Sequence, residues 1–353
     1  MQQLKTQMTT ALGLFSGGLD SILACRVIAA QGIRVQALKF VTPFFGHDLL
    51  LRKEEYQEEM RKKYRLDVEP VDLSEGYIEL LRNPAHGFGK NFNPCIDCKI
   101  MMLRRARELM PEYRASFLIT GEVLGQRPMS QRRDTLNVIE RDAECRDILL
   151  RPLCAKLMSP TLPEREGLVD RDWLHDFSGR SRKSQIALAR ELGIREFPAP
   201  AGGCVLTDPN LAARIQRFYA GLFKIGREDI TTGDIRLLLL GRQFRLPGGH
   251  WLVLGRNKDE NYHLSQLREP DDWLLFMPEH PSPTALLRHA SAMITDPAEK
   301  EKILDAVAGL VVRYGRKTGG KLLPGRVLFK ERGKRQTMQA EALADEVFQE
   351  WVV

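Results

Sequence analysis

The sequence predicts an α/β protein: a parallel sheet with helices on both faces, followed by a smaller mixed α+β domain. Three observations carry that prediction. Short apolar runs alternate with amphipathic helical segments through the first two hundred residues. Polar, Gly-containing connections such as "FSGG", "FVTPFFG" and "ITGEVLGQ" fall directly after those runs, where open parallel sheets place their ligands. Beyond "EFPAPAGGC" the alternation stops, which puts the division at 1–204 and 205–353.

The elements follow in order. "ALGLFS" predicts a first strand, Leu19–Ala30 a helix and "VQALKFV" a second strand. A charged amphipathic helix from about Leu50 to Tyr64 leads to a third strand in "LDVEPVDLS". A helix from about Ile96 to Met110 precedes "FLITGEV", and "DILLRPL" reads as a further strand. "RKSQIALARELGI" closes this part as a helix. The second part has strand-like "RQFRLPGGHWLVLGRN" and "RVLFKERG", with helices expected near Pro209–Phe223 and Met338–Trp351.

The chain has 353 residues, 43% of them hydrophobic and 28% charged, enough for a sizeable core in each part. No apolar run reaches the length of a membrane span, so no membrane partner is expected. The first residues lack the tripartite pattern of a secretory signal, which predicts a cytoplasmic protein. A net charge of +7 favours a polyanionic partner. Six scattered cysteines do not make a disulfide scaffold.

The stretch "LFSGGLDSILACRVIAAQG" places a Gly-rich turn between a strand and a helix start. Backbone N–H groups converging there, with the positive helix terminus, form an anion site. Gly17 and Gly18 allow phosphate oxygens to approach the backbone, and Ser16 and Ser21 offer hydroxyls. Asp20 can hold Mg²⁺ or cap the helix. The Gly-Lys-Ser/Thr ending of a Walker loop and the dinucleotide fingerprint are both absent. "SGGLDS" resembles the pyrophosphate loop of the ATP pyrophosphatases in every specified position. The resemblance implies ATP cleaved between its α- and β-phosphates with adenylation of a substrate oxygen. Phe40, at the end of the second strand, is assigned to the same nucleotide pocket.

"LITGEVLGQRPMSQRRDTLNVIERDA", then "ILLRPL", resembles the matching region of the tRNA 4-thiouridine synthetases. That resemblance implies that Gly121, Gln126, Ser130 and Gln131 lie near the α-phosphate or the target base, and it makes tRNA the expected partner. No N-terminal segment long enough for that family's RNA-binding domain precedes the loop, and no C-terminal rhodanese-like domain follows. Sulfur delivery is therefore expected to differ, from free sulfide or a cysteine desulfurase.

Cys95 and Cys98 stand at i and i+3 at a helix start after Pro94, so both sulfurs share a face and can grip one metal centre. Cys204 follows Gly202 and Gly203, which free the backbone to aim a thiolate. The residues alone leave open an iron–sulfur cluster, zinc with His86 as a further ligand, redox use of the C-x-x-C, or a coincidental spacing. The pattern resembles the iron–sulfur-dependent RNA thiolases, which implies a [4Fe-4S] cluster on Cys95, Cys98 and Cys204. Cys25 reads as core packing.

In the second part, "GRN", Asn261 and "DDW" resemble the RNA-binding module of the NFACT family. Arg256, Asn257 and Lys258 are the implied contacts. A basic stretch from Arg313 to Arg335 holds nine Lys/Arg against one acid, with Arg313, Arg316, Lys317 and Lys321 as candidate phosphate contacts. The reading is an ATP-dependent tRNA uridine thiolase. A PP-loop enzyme acting on a small molecule, or a nucleotide-sensing RNA-binding adaptor without catalysis, are the alternatives.

Overall fold

The computed structural model describes residues 9–127, 130–199, 204–317 and 322–353. The chain divides into two compact units, Met1–Asp208 and Pro209–Val353. In the first, five parallel strands are β1 (Thr10–Leu14), β2 (Arg34–Val41), β3 (Asp67–Asp72), β4 (Phe117–Thr120) and β5 (Leu149–Leu150), in the order β3-β2-β1-β4-β5. The helices are α1 (Leu19–Ala30), α2 (Lys53–Tyr64), α3 (Ser74–Arg82), α4 (Cys95–Tyr113), α5 (Arg133–Asp142), α6 (Leu162–Arg165) and α7 (Lys183–Glu191).

Both faces of this sheet are covered, as the sequence predicts. Ala11, Phe117 and Ile119 point into one core with α1, α2 and α7. Their strand neighbours Leu12 and Leu118 point into a second core with α4 and α5. Apolar residues on successive strand positions therefore all find a dry partner, which is why these strands read as continuous apolar runs. Strand order reverses at β1, which lies between β2 and β4, and the crevice beyond their carboxyl ends is the topological switch point. The loops after β1 and β4 flank it.

The second unit contains α8 (Pro209–Tyr219), α9 (Thr232–Leu238), β6 (Arg242–Arg245), β7 (Trp251–Leu254), α10 (Lys258–Gln266), β8 (Trp273–Phe276), β9 (Ala285–Leu287), α11 (Ala290–Met293), α12 (Pro297–Arg313), β10 (Gly325–Glu331), β11 (Lys334–Ala340) and α13 (Asp345–Phe348). Its antiparallel sheet runs β11-β10-β8-β9-β7-β6. Trp273, Leu275, Val327 and Phe329 pack one face against Ile303, Val307 and Leu310 of α12. Arg332 (φ 43°) and Gly333 (φ 82°) make the two-residue turn joining β10 to β11.

The helix expected over Met338–Trp351 does not form. Met338–Ala340 ends β11, and only Asp345–Phe348 and a 3₁₀ turn over Gln349–Trp351 are helical. Three register pairs with β10, at Met338, Gln339 and Ala340, hold the start of that stretch in the sheet. The fully buried Arg288 binds Asp234 and Asp272 at 2.7 and 2.9 Å and pairs with Glu269, joining α9 to the segments flanking β8 and β9.

Candidate active site

The glycine loop follows β1 directly. Gly17 turns the chain at φ 87°, a conformation that L side chains rarely adopt, and Gly18 caps α1. Ser21 Oγ donates to Gly18 O at 2.8 Å, and Gly18 N donates to Ser16 Oγ at 3.2 Å. Gly121 packs against the first turn of α1, where a Cβ would lie 2.4 Å from the Asp20 carbonyl carbon. Its role is therefore close backbone approach. Gly13 does the same for Cys25, whose sulfur would lie 2.7 Å from an added Cβ. Burial pushes the Cys25 thiol up to about 12, so it is core packing.

Lys39 reaches the loop from β2, its Nζ donating to Ser16 O at 2.5 Å. Burial lowers its ammonium below the ordinary lysine range, so an anion there would be bound with little competing solvent. Gln126 Nε2 donates to Asp20 Oδ2 at 2.8 Å, and Gln185 Nε2 donates to Gln126 Oε1 at 3.3 Å. Asp20 Oδ1 is buried with no hydrogen-bond partner among the described residues. Burial raises the Asp20 carboxyl, against the Gln126 hydrogen bond and the charges of Arg182 and Arg127. A carboxylate oxygen without a donor beside a phosphate loop fits Mg²⁺. Ser130 and Gln131 are buried, and Gln131 Oε1 accepts from Arg127 N at 3.1 Å, so Gln131 braces the loop after β4. Phe40 is 5% exposed within the core beneath α4.

Beneath that loop lies a buried charge network. Arg151, 1% exposed, donates from Nε to Glu122 at 2.9 Å and pairs with Glu140, while Lys99 pairs with Glu122 from α4. Burial would raise the Glu122 carboxyl, but Lys99 and Arg151 overcome it and hold it down to about 2. Arg151→Met strips Glu140 of its only ion-pair partner among the described residues, and urea unfolding should show a loss of about 3–5 kcal/mol. Because the folded value is depressed, the Glu122 contribution is complete above about pH 4.5 and is lost as pH falls toward 2. The difference between the two proteins should shrink over that interval.

The three candidate thiols converge in the same unit. Cys95 and Cys98 lie in the first turn of α4, and Cys204 caps a 3₁₀ turn over Val205–Thr207. The buried Tyr77 phenol interacts with all three. Asn91 Nδ2 donates to Thr207 O at 2.6 Å, and Thr207 Oγ1 donates to Cys204 O at 2.6 Å, tying the Cys204 turn to the loop before α4. Burial pushes the Cys98 thiol up to about 12, and burial also raises Cys204. Crowded, desolvated thiols of this kind ionise when a metal takes them. Among the described residues, no three His, Cys, Asp or Glu side chains are grouped as for a single ion. His86 is held at both ring nitrogens, by Asp97 at 2.9 Å and Asp142 at 3.0 Å, so it is not free to complete a zinc site. Gly202 and Gly203 lie outside the described residues. Arg127 interacts electrostatically with both Asp20 and Cys204, which puts the phosphate loop and the cysteines in one neighbourhood.

In the second unit, Arg256 binds Glu260 at 2.6 Å and Asn257 Oδ1 caps α10 by accepting from Glu260 N at 2.9 Å. Lys258 is exposed with no ion pair among the described residues. Asn261 bridges Ser282 and Thr284, and Asp272 accepts from Glu269 N and His289 N. Arg313 makes two hydrogen bonds of 2.7 Å to Asp345. Arg316 and Lys317 are exposed, and Lys321 lies outside the described residues.

Residues 6–156 match the family model described as thiamine biosynthesis protein (ThiI). The match takes in all five strands of the N-terminal unit. Residues 241–352 match the model of the NFACT protein RNA binding domain. Proteins named tRNA sulfurtransferase from Marinobacter nauticus and Aeromonas hydrophila subsp. hydrophila are 29% identical over 148 residues and 30% over 144, covering 41% and 40% of this chain. The chain spans 29% and 28% of the length of those relatives. A 4-thiouridine synthetase–RNA complex with bound ATP aligns at 20% identity and TM-score 0.40, covering 59% of this chain and 50% of that one. The U34-tRNA thiolase NcsA from Methanococcus maripaludis with its [4Fe-4S] cluster aligns at 16% and TM-score 0.32, covering 62% and 68%.

Within the N-terminal unit, sequence reasoning misses Lys39, Arg127 and Arg151. A lysine inside "VQALKFV" reads as part of a strand, and only the β1–β2 register brings it to the glycine loop. "LGQR" carries no signal that Arg127 acts on both Asp20 and Cys204, and "LLRPL" none that its arginine is buried between two carboxylates.

Proposed function

We propose that the protein is a cytoplasmic ATP-dependent tRNA sulfurtransferase that replaces a uridine carbonyl oxygen with sulfur. The observation that carries this reading is that Arg127 lies near both Asp20 and Cys204, the latter sharing the Tyr77 phenol with Cys95 and Cys98. Activation and sulfur delivery need adjacent sites, and a nucleotide-sensing adaptor needs only the first.

The Gly17–Gly18 amides, the α1 terminus and Lys39 bind the β- and γ-phosphates and stabilise the charge that develops on them. Asp20 would hold Mg²⁺, which would neutralise phosphate charge, and Gln126 orients the carboxylate by donating to Oδ2. The uridine carbonyl oxygen attacks the α-phosphorus, the bond to the bridging oxygen breaks, and pyrophosphate leaves. A sulfur nucleophile then attacks the activated carbon, and AMP departs with the original oxygen. Cys95, Cys98 and Cys204 fit a [4Fe-4S] cluster, which would supply a metal site open to incoming sulfide. Free sulfide provides the sulfur, or a cysteine desulfurase provides it as a persulfide whose S–S bond a thiol reductant cleaves to release sulfide. Lys258, Arg316, Lys317 and Lys321 contribute backbone affinity from the second unit.

Bulk tRNA should stimulate pyrophosphate release from ATP about tenfold or more, because the nucleophile is the RNA carbonyl. Release that runs equally without RNA would favour a small-molecule substrate.

A further inference from the structure

The basic stretch from Arg313 to Arg335 separates into two classes. Arg313 binds Asp345, Arg326 pairs with Glu279 and Arg332 binds Asp271, so those charges are already compensated. Lys330 and Arg335 make no ion pair or hydrogen bond among the described residues, although they stand directly opposite each other across β10 and β11. Like charges facing each other in an antiparallel ladder destabilise it. Arg268 adds a third positive charge to the same group, and its Nε is buried without a partner. Burial lowers the Lys330 ammonium, and Arg335 and Arg268 lower it further.

The burial pattern shows which face these residues occupy. Val327, Phe329 and Ala340 are buried toward α12, so Lys330 and Arg335 stand on the opposite face, with Leu328 and Thr337 beside them. Lys330 Nζ lies 5.0 Å from the centre of the half-buried Phe276 ring. β11 is the edge strand, and Lys334 to Thr337 are exposed. An uncompensated cationic pair beside an aromatic ring on an open sheet face suits a phosphodiester backbone with its bases.

We propose that Lys330, Arg335 and Arg268, with Phe276, form the phosphate-gripping face by which the second unit holds RNA. This rests on the tRNA reading above and names the surface within it. The repulsion between Lys330 and Arg335 is relieved when an RNA phosphate sits between them, so stability of the free protein and RNA affinity oppose each other at this position.

The test uses the full chain, bulk tRNA and filter binding across a salt series. Lys330→Met keeps the stem on Phe276, and Arg335→Gln keeps the length. The double variant should weaken binding about tenfold and flatten the log K against log salt slope by about one per contact removed. Its melting temperature should rise by about 1–2 °C. Arg326→Gln, a compensated cation on the same face, should bind within about twofold of the unaltered chain. The proposal is overturned if the double variant keeps wild-type affinity and slope, or if Arg326→Gln loses as much. Failure of the unaltered chain to bind tRNA would remove the underlying RNA reading together with it.

Discussion

Asp20→Asn should release pyrophosphate from ATP at least about a hundredfold more slowly than the unaltered chain, with its fold intact. The asparagine keeps the shape and can keep a contact to Gln126, so the change isolates the charge. That charge is costly in the free protein, because burial raises the Asp20 carboxyl and Oδ1 has no donor. Its removal should leave the melting temperature unchanged or higher. Loss of rate without loss of stability is the signature of a group kept for Mg²⁺. Equal rates for Asp20→Asn and wild type would remove Asp20 from the chemistry.

The second large effect concerns sulfur. Cys95→Ala, Cys98→Ala and Cys204→Ala should each lower thiolation by more than about a hundredfold, since even outer-shell changes at metal sites cost about 10–100-fold. Each should retain tRNA-stimulated pyrophosphate release within about threefold, because among the described residues no hydrogen bond joins any of the three to the glycine loop. Iron and sulfide content of anaerobically purified protein should fall with thiolation in all three variants. A colourless wild-type protein carrying one zinc would instead exclude the cluster. Cys25→Ala is the internal control: its sulfur packs on Gly13, so it should affect stability without affecting iron content.

What was legible in the sequence follows from how local each signal is. The strand, glycine turn and helix over Thr10–Ala30 are fixed by neighbours in the chain, and α1 spans the predicted residues. The start of α4 is nearly as local, because Pro94 sets it and Asp97 in its first turn suits the helix dipole. In contrast, β11 took the start of an expected helix, because Met338, Gln339 and Ala340 are held by three partners on β10. α12 has the signals of a start, with Asp296 capping, Pro297 first and Glu299 third, yet Asp-Pro reads equally as a turn. The motif residues Arg256, Asn257 and Asp272 were legible as a pattern, but their partners Glu260, Glu269 and His289 were not. The side chains of Arg256, Asn257 and Asp272 hold the unit together through those partners.

Incubation of the anaerobically prepared protein with ATP, Mg²⁺, sulfide and unmodified tRNA, followed by mass spectrometry of the digested nucleosides, tests the central claim most directly. The account predicts a thiouridine that requires ATP and disappears with Asp20→Asn or with any one of the three cysteine variants. tRNA that stays free of thiolated nucleoside in the fully loaded reaction, while ATP is still consumed to AMP and pyrophosphate, would contradict it.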